Sequence, residues 1–158
     1  MKLLLESWKR YLKEEKIAWD LNPPRILSIQ PTTYEDKKVA KMILDIGSLE
    51  QYPSAKIPNF NNKLLSLIPT LKEHGCSYKK KGGFVRRLTE DDGTYFGHIL
   101  EHVALELQSI KGHDVYFGRT RGTGDVGVYS VIYEIMDDRV GIECGNEAYN
   151  LLLSILPS

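Results

Sequence analysis

Residues 95–111, YFGHILEHVALELQSIK, decide what kind of chain this is. Phe96, Ile99, Leu100, Val103, Leu107 and Ile110 recur every three or four residues and share one arc of a helix. His98, Glu101, His102 and Glu106 fall on the opposite arc. Thr94 is placed to cap this helix and Gly112 to stop it. The polar arc carries the spacing H-x-x-E-H, the inverted form of a zinc-peptidase motif. Residues four apart share a helix face, so two imidazoles can grip one cation. Glu101, beside them, can take a proton from water held there. A merely solvated helix face would show the same residue types.

A catalytic metal site needs a third protein ligand. Glu106 cannot supply it, because two helical turns separate it from His98, a rise of about 12 Å. Glu106 is expected instead to orient His102. The third ligand is then sought among Glu134, Glu143, Cys76 and His74. Glu134 is favoured, since a carboxylate closing the run Val131-Ile132-Tyr133 is unusual unless paired. Gly118-Arg119-Thr120-Arg121-Gly122 reads as a polar loop. Its two guanidinium groups, Arg119 and Arg121, can bind carboxylate or phosphate bidentately. Lys79-Lys80-Lys81-Gly82-Gly83, with Arg86 and Arg87, makes a basic patch whose glycine spacing is wrong for a phosphate-binding P-loop. Cys144 and His113 read as core and surface respectively.

Working outward, residues 3–19 read as an amphipathic helix, and residues 1–24 as a helical extension ended by Pro23-Pro24. Arg25–Gln30 has a strand pattern. Pro31-Thr32-Thr33 reads as a break, with Thr33 capping a helix over Tyr34–Leu44. Residues 47–59 read as loop, and Phe60–His74 as a helix that Pro69 kinks or splits. A short helix is expected over Phe84–Leu88, and a brief strand over Asp114–Phe117. Val126–Met136 has strand composition, and Asp137 or Asp138 caps a last helix carrying Ala148, Leu151, Leu152 and Ile155. Several helices on a small sheet imply an α+β or α/β fold in one compact domain, residues 25–158.

The whole chain has 158 residues, 21 Lys+Arg against 21 Asp+Glu, and 42% hydrophobic residues. That is an ordinary globular composition, neither disordered nor basic enough for an electrostatic nucleic-acid binder. The apolar runs are too short to span a bilayer, and no secretory signal is apparent. Two cysteines are too few for a disulfide framework and suit a reducing cytoplasm.

At this point the sequence resembles the N-terminal domain of cyanophycin synthetases. The resemblance rests on Tyr52–Pro58, Leu71–Ser77 (LKEHGCS), Gly97–Gln108 (GHILEHVALELQ), Phe117–Arg121 (FGRTR) and Gly127–Glu134, with GHILEHVALELQ and FGRTR the most specific. Departures are Pro31–Asp36, where the family has an L-x-R-G-P-N-like segment, Gly122, where it commonly has an acidic residue, and residues 1–24, which have no counterpart. Cyanophycin has a poly-aspartate backbone with arginines amide-linked to the side chains. The resemblance implies a domain that holds this polymer and, in some members, cleaves it into primers as a metal-dependent hydrolase. His98, His102 and Glu134 would hold a divalent metal, zinc by preference, Glu101 would act as base, and Arg119 and Arg121 would bind substrate carboxylates. The ligase modules of the synthetases have no counterpart in these residues, so no ligase activity is expected of the chain by itself. The alternative is a non-catalytic tethering or assembly domain that partners ligase modules or copies of itself.

Overall fold

The structure is a computed structural model that describes residues 22–76 and 82–157. The expected helix over residues 3–19 and the lysines at 79–81 lie outside the described residues. Four antiparallel strands form one sheet: β1 (Arg25–Tyr34), β2 (Lys37–Asp45), β3 (Gly118–Gly122) and β4 (Val128–Glu134), in the order β1-β2-β4-β3. Between β2 and β3 run two short 3-10 helices, then α1 (Phe60–Leu67), a 3-10 turn (Pro69–Glu73), α2 (Gly83–Thr89) and α3 (Phe96–Ile110). Helix α4 (Asp138–Ile155) closes the described chain. The fold is α+β.

The expected helix over Tyr34–Leu44 is replaced by a β-hairpin. β1 continues through Pro31, which an edge strand tolerates because it can leave one amide unpaired. Glu35 and Asp36 both have positive φ, 47° and 67°, and close a two-residue turn. Such turns match the twist of the strands they join, but usually announce themselves with Asn or Gly. Ala40, Met42 and Leu44 then alternate into the core, each fully buried, while Lys41 points away.

The other boundaries show the same competition between local cues and tertiary pairing. Pro69 splits the expected Phe60–His74 helix into α1 and a 3-10 turn. Asp114–Phe117 forms no strand, whereas Gly118–Gly122, expected as loop, pairs with β4 as β3. Asp137 caps α4 as expected, its carboxylate accepting from the Val140 amide at 2.9 Å. Tyr95, not Thr94, is the N-cap of α3.

Helices α3 and α4 pack together, α3 over β3 and β4 and α4 over β1 and β2. Tyr133 is fully buried beneath α4, and its hydroxyl donates to the Gly141 carbonyl at 2.8 Å. Gly145 permits this approach, since a Cβ there would sit 2.0 Å from the Tyr133 hydroxyl oxygen. Among the described residues, no helix is long and apolar enough to cross a membrane.

Candidate metal centre

Helix α3 is buried almost all round. The polar arc is not solvated: Glu101, His102 and Glu106 are only 5–7% exposed, while Ile110, placed by its spacing on the apolar arc, is 63% exposed. The covering elements are the 3-10 turn with the segment after it, α2 and β3. They convert a helix face into the wall of a cleft of about 1240 Å³.

Three donor groups converge there. His98 Nε2 lies 3.1 Å from His102 Nε2 and 3.4 Å from Cys76 Sγ, and the ligand atoms of all three residues lie within 4.8 Å of one another. A tetrahedral zinc ion with Zn–N bonds of about 2.0–2.1 Å and Zn–S of about 2.3 Å sets its donors about 3.3–3.6 Å apart. The two spacings from His98, 3.1 and 3.4 Å, lie at or just below that range, and three donors leave a fourth vertex for another ligand. Burial, then the nearby Arg87 guanidinium, lowers the His98 pKa to about 4. Burial, then the His98 and His74 rings, holds His102 well below the usual imidazole range. Both rings are therefore neutral near pH 7, the form that offers a lone pair to a cation.

The outer nitrogens are also engaged. Thr94 Oγ1 lies 3.0 Å from His98 Nδ1 and can accept its proton. His102 Nδ1 lies 3.2 Å from His74 Nδ1, and His74 Nε2 in turn meets a carboxylate oxygen of Glu106. Thr70 Oγ1 donates to the other Glu106 oxygen at 2.5 Å. A carboxylate only accepts, so His74 donates from Nε2 and can accept at Nδ1 from His102. That tautomer leaves the His102 Nε2 lone pair directed at the cluster. Glu106 thus reaches His102 through His74 rather than directly. The Phe84 ring stacks on His102, with centroids 4.1 Å apart, and closes the apolar side.

Glu134 does not join the imidazoles. One of its carboxylate oxygens accepts from the amides of Tyr116 and Phe117, at 2.8 and 3.2 Å, and so ties down the chain before β3. Cys76, one of the alternatives open in the sequence, stands where Glu134 was expected. Glu101 lines the same cleft and leans toward β3. Thr120 Oγ1 donates to Glu101 Oε2 at 2.6 Å, and Gly118 makes room for the carboxylate, which a Cβ there would strike at 2.4 Å. Burial raises the Glu101 pKa to about 7, against the opposing pull of the Thr120 hydrogen bond. Arg119 and Arg121 flank the cleft on β3, and the Arg119 guanidinium donates to the Tyr34 hydroxyl at 2.5 Å. No local pattern marks Thr120, Gly118 or Phe84 as site residues, because only the β3 pairing and the α2 fold-back bring them to α3.

Residues 41–157 match the family described as the Cyanophycin synthase-like N-terminal domain. The chain belongs to this family. It is 46% identical over 120 residues to the cyanophycin synthetase of Synechocystis sp., a stretch covering 76% of this chain and 14% of that protein. Against the cyanophycin synthetase of Geminocystis herdmanii the identity is 43% over the same shares. The cyanophycin synthetase of Crocosphaera subtropica shares 46% over 120 residues, again 14% of its length. The chain therefore aligns with about a seventh of each of these relatives. The matched stretch holds the whole His74–Cys76–His98–His102 cluster and all of β3.

Proposed function

We propose that this domain binds a divalent cation, zinc by its donor set, and hydrolyses amide bonds in a cyanophycin-like polymer. The observation that carries the reading is the convergence of Cys76 Sγ, His98 Nε2 and His102 Nε2 beside a buried carboxyl in an open cleft. A thiolate and two neutral imidazoles are a zinc-type donor set, and a cation bound there would supply Lewis acidity toward an amide carbonyl and its attacking water. The residues themselves divide the remaining work. Glu101, fixed at Oε2 by Thr120, receives at Oε1 the proton of the attacking water. The new C–O bond forms as the C–N bond breaks, and Glu101 returns that proton to the leaving amine. Burial favours the protonated form of Glu101 and a cation bound beside it would favour the ionised form, so the group is placed to take a proton and give it back. Arg119 and Arg121 hold carboxylates of the polymer.

The test pairs elemental analysis of the purified protein with incubation on cyanophycin. About one zinc per chain and progressive shortening of the polymer are expected. Protein that takes up no divalent metal and leaves the polymer intact would falsify the hydrolase reading. A tethering role is the second reading, and one observation favours it. Lys41, Arg119 and Arg121 share the sheet face turned away from the helices, and Lys37 lies beside them over the Phe117 ring. Tethering without hydrolysis predicts polymer binding with no shortening. It also predicts that Arg119→Ala weakens binding most at low salt.

A further inference from the structure

β3 is the last strand of the sheet, and the phase of its hydrogen bonds says which groups it leaves open. Glu134 N donates to Phe117 O at 2.8 Å, and Thr123 N donates to Val128 O at 3.1 Å. In an antiparallel ladder the bonded residues alternate, so Phe117, Arg119, Arg121 and Thr123 turn their backbone groups toward β4. Gly118, Thr120 and Gly122 turn theirs outward. Among the described residues, no hydrogen bond reaches those three N–H and three C=O groups. All five residues of β3 line the cleft that also contains His98, Glu101 and His102. An open strand edge is a template for another extended chain.

We propose that β3 binds its substrate by strand addition: an extended peptide with carboxylate-bearing side groups pairs with Gly118, Thr120 and Gly122 as a fifth strand along the metal cluster. This deepens the hydrolase reading and rests on it for the choice of ligand. The side chains of β3 supply the charge complementarity. Thr120 faces α3, and alternation puts Arg119 and Arg121 on the opposite face, about 6.8 Å apart along the strand. Alternate side groups of an added strand repeat at the same interval, so two successive ones on that face each meet a guanidinium. Lys41 extends the positive row, aligned with Arg119 through Ile132. The backbone of the added strand, meanwhile, lies in the plane of the sheet beside Glu101, which an extended conformation leaves accessible. Cleavage would then follow main-chain recognition, with the arginines setting register.

Gly122 offers a clean test. A Cβ there meets nothing within 4 Å, and the residue lies in a strand without positive φ. Gly122→Pro therefore deletes one outward N–H and fills its place with ring carbon, while the β3–β4 ladder, both arginines and the metal cluster stay intact. Gly122→Ala keeps the N–H. Binding of short cyanophycin oligomers to EDTA-treated protein, so that nothing is cleaved, should weaken about tenfold in Gly122→Pro and stay unchanged in Gly122→Ala. Amide exchange followed by NMR on the unaltered protein gives a second readout that needs no variant. Saturating oligomer should slow exchange at Gly118, Thr120 and Gly122, while Arg119 and Arg121 are protected with or without ligand. Equal affinity in both variants and the parent overturns the proposal, as does unchanged exchange at the three outward amides or a parent that binds no oligomer. If the three amides become protected but the metal-loaded protein never shortens the polymer, strand addition stands and the hydrolase reading alone fails.

Discussion

Helices α3 and α4 lie side by side on one face of the same sheet, yet they meet it through opposite chemistry. α4 presents Gly141, Gly145, Ala148 and Leu152, small or apolar residues that are all buried. Its buried polar contact with the sheet below is the Tyr133 hydroxyl on the Gly141 carbonyl, and the Lys38–Asp138 ion pair at its first turn is exposed. α3 meets β3 through a carboxyl, Glu101, and turns two imidazoles and a second carboxyl toward the 3-10 turn and α2. Burying hydrocarbon stabilises a fold, at about 25 cal/mol per Å². Burying ionisable groups costs stability unless every one is paired, and apolar replacements of equal size often do better. α4 is thus built for stability, and α3 gives stability up where a site would need it.

The sharpest way to break that contrast is Glu101→Gln. The amide keeps the shape and can still accept from Thr120, but it cannot take a proton. Polymer cleavage should fall by at least about a hundredfold, the range general acid–base groups contribute. Metal content and polymer affinity should persist, and the melting temperature should hold or rise, because a carboxyl held above its usual pKa by burial opposes folding. Undiminished cleavage would remove Glu101 from the chemistry, and a collapse in stability would make it a structural group like those of α4.

The opposite result is expected on α4. A Cβ at position 145 would lie 2.0 Å from the Tyr133 hydroxyl oxygen and 2.9 Å from Ile29 Cδ1, so Gly145→Ala forces the helix off the sheet. Overpacking of this kind costs about 1–3 kcal/mol. Chemical denaturation should show that loss, with metal affinity of the folded fraction unchanged. A stable variant would mean that the α4 contact is plastic, and the contrast between the helices would weaken.

The same contrast explains what the sequence could disclose. The periodicity of α3 and α4 was legible because helices are local, and so were the H-x-x-E-H spacing and the split at Pro69. β3 was not legible, since Gly-Arg-Thr-Arg-Gly has the composition of a loop and becomes a strand only through pairing with β4. β2 read as a helix because Lys37–Leu44 is rich in residues that tolerate either state, and its turn, Glu35-Asp36, lacks the usual glycine. At the site, helical spacing located His98 and His102 correctly with respect to each other. It could not rank Cys76 over Glu134, because that choice depends on how the segment after the 3-10 turn folds back. Nor could it show that Glu106 acts at one remove, since spacing along α3 says nothing of a ring inserted from His74.

That inserted ring gives the finest test. If α3 gives up stability for a site, the groups behind the donor atoms should tune the cation and contribute little to the fold. Glu106→Gln keeps an acceptor for His74 but removes the charge that fixes the direction of its hydrogen bond. The side-chain amide can also rotate to donate to His74 Nε2, which would push the proton onto His74 Nδ1 and turn it against His102 Nδ1–H. The His102 Nε2 lone pair would then be offered less often to the cluster. Zinc affinity, measured by competition with a chelator, should fall about tenfold, within the range seen when a group behind a metal-bound imidazole is altered. His74→Ala should lower it by a similar factor, and the double variant should lose little more than either change alone, because both act on one chain of hydrogen bonds. Additive losses would mean that Glu106 and His74 act on the fold separately. In that case the buried polar face of α3 would be an ordinary, well-satisfied core after all.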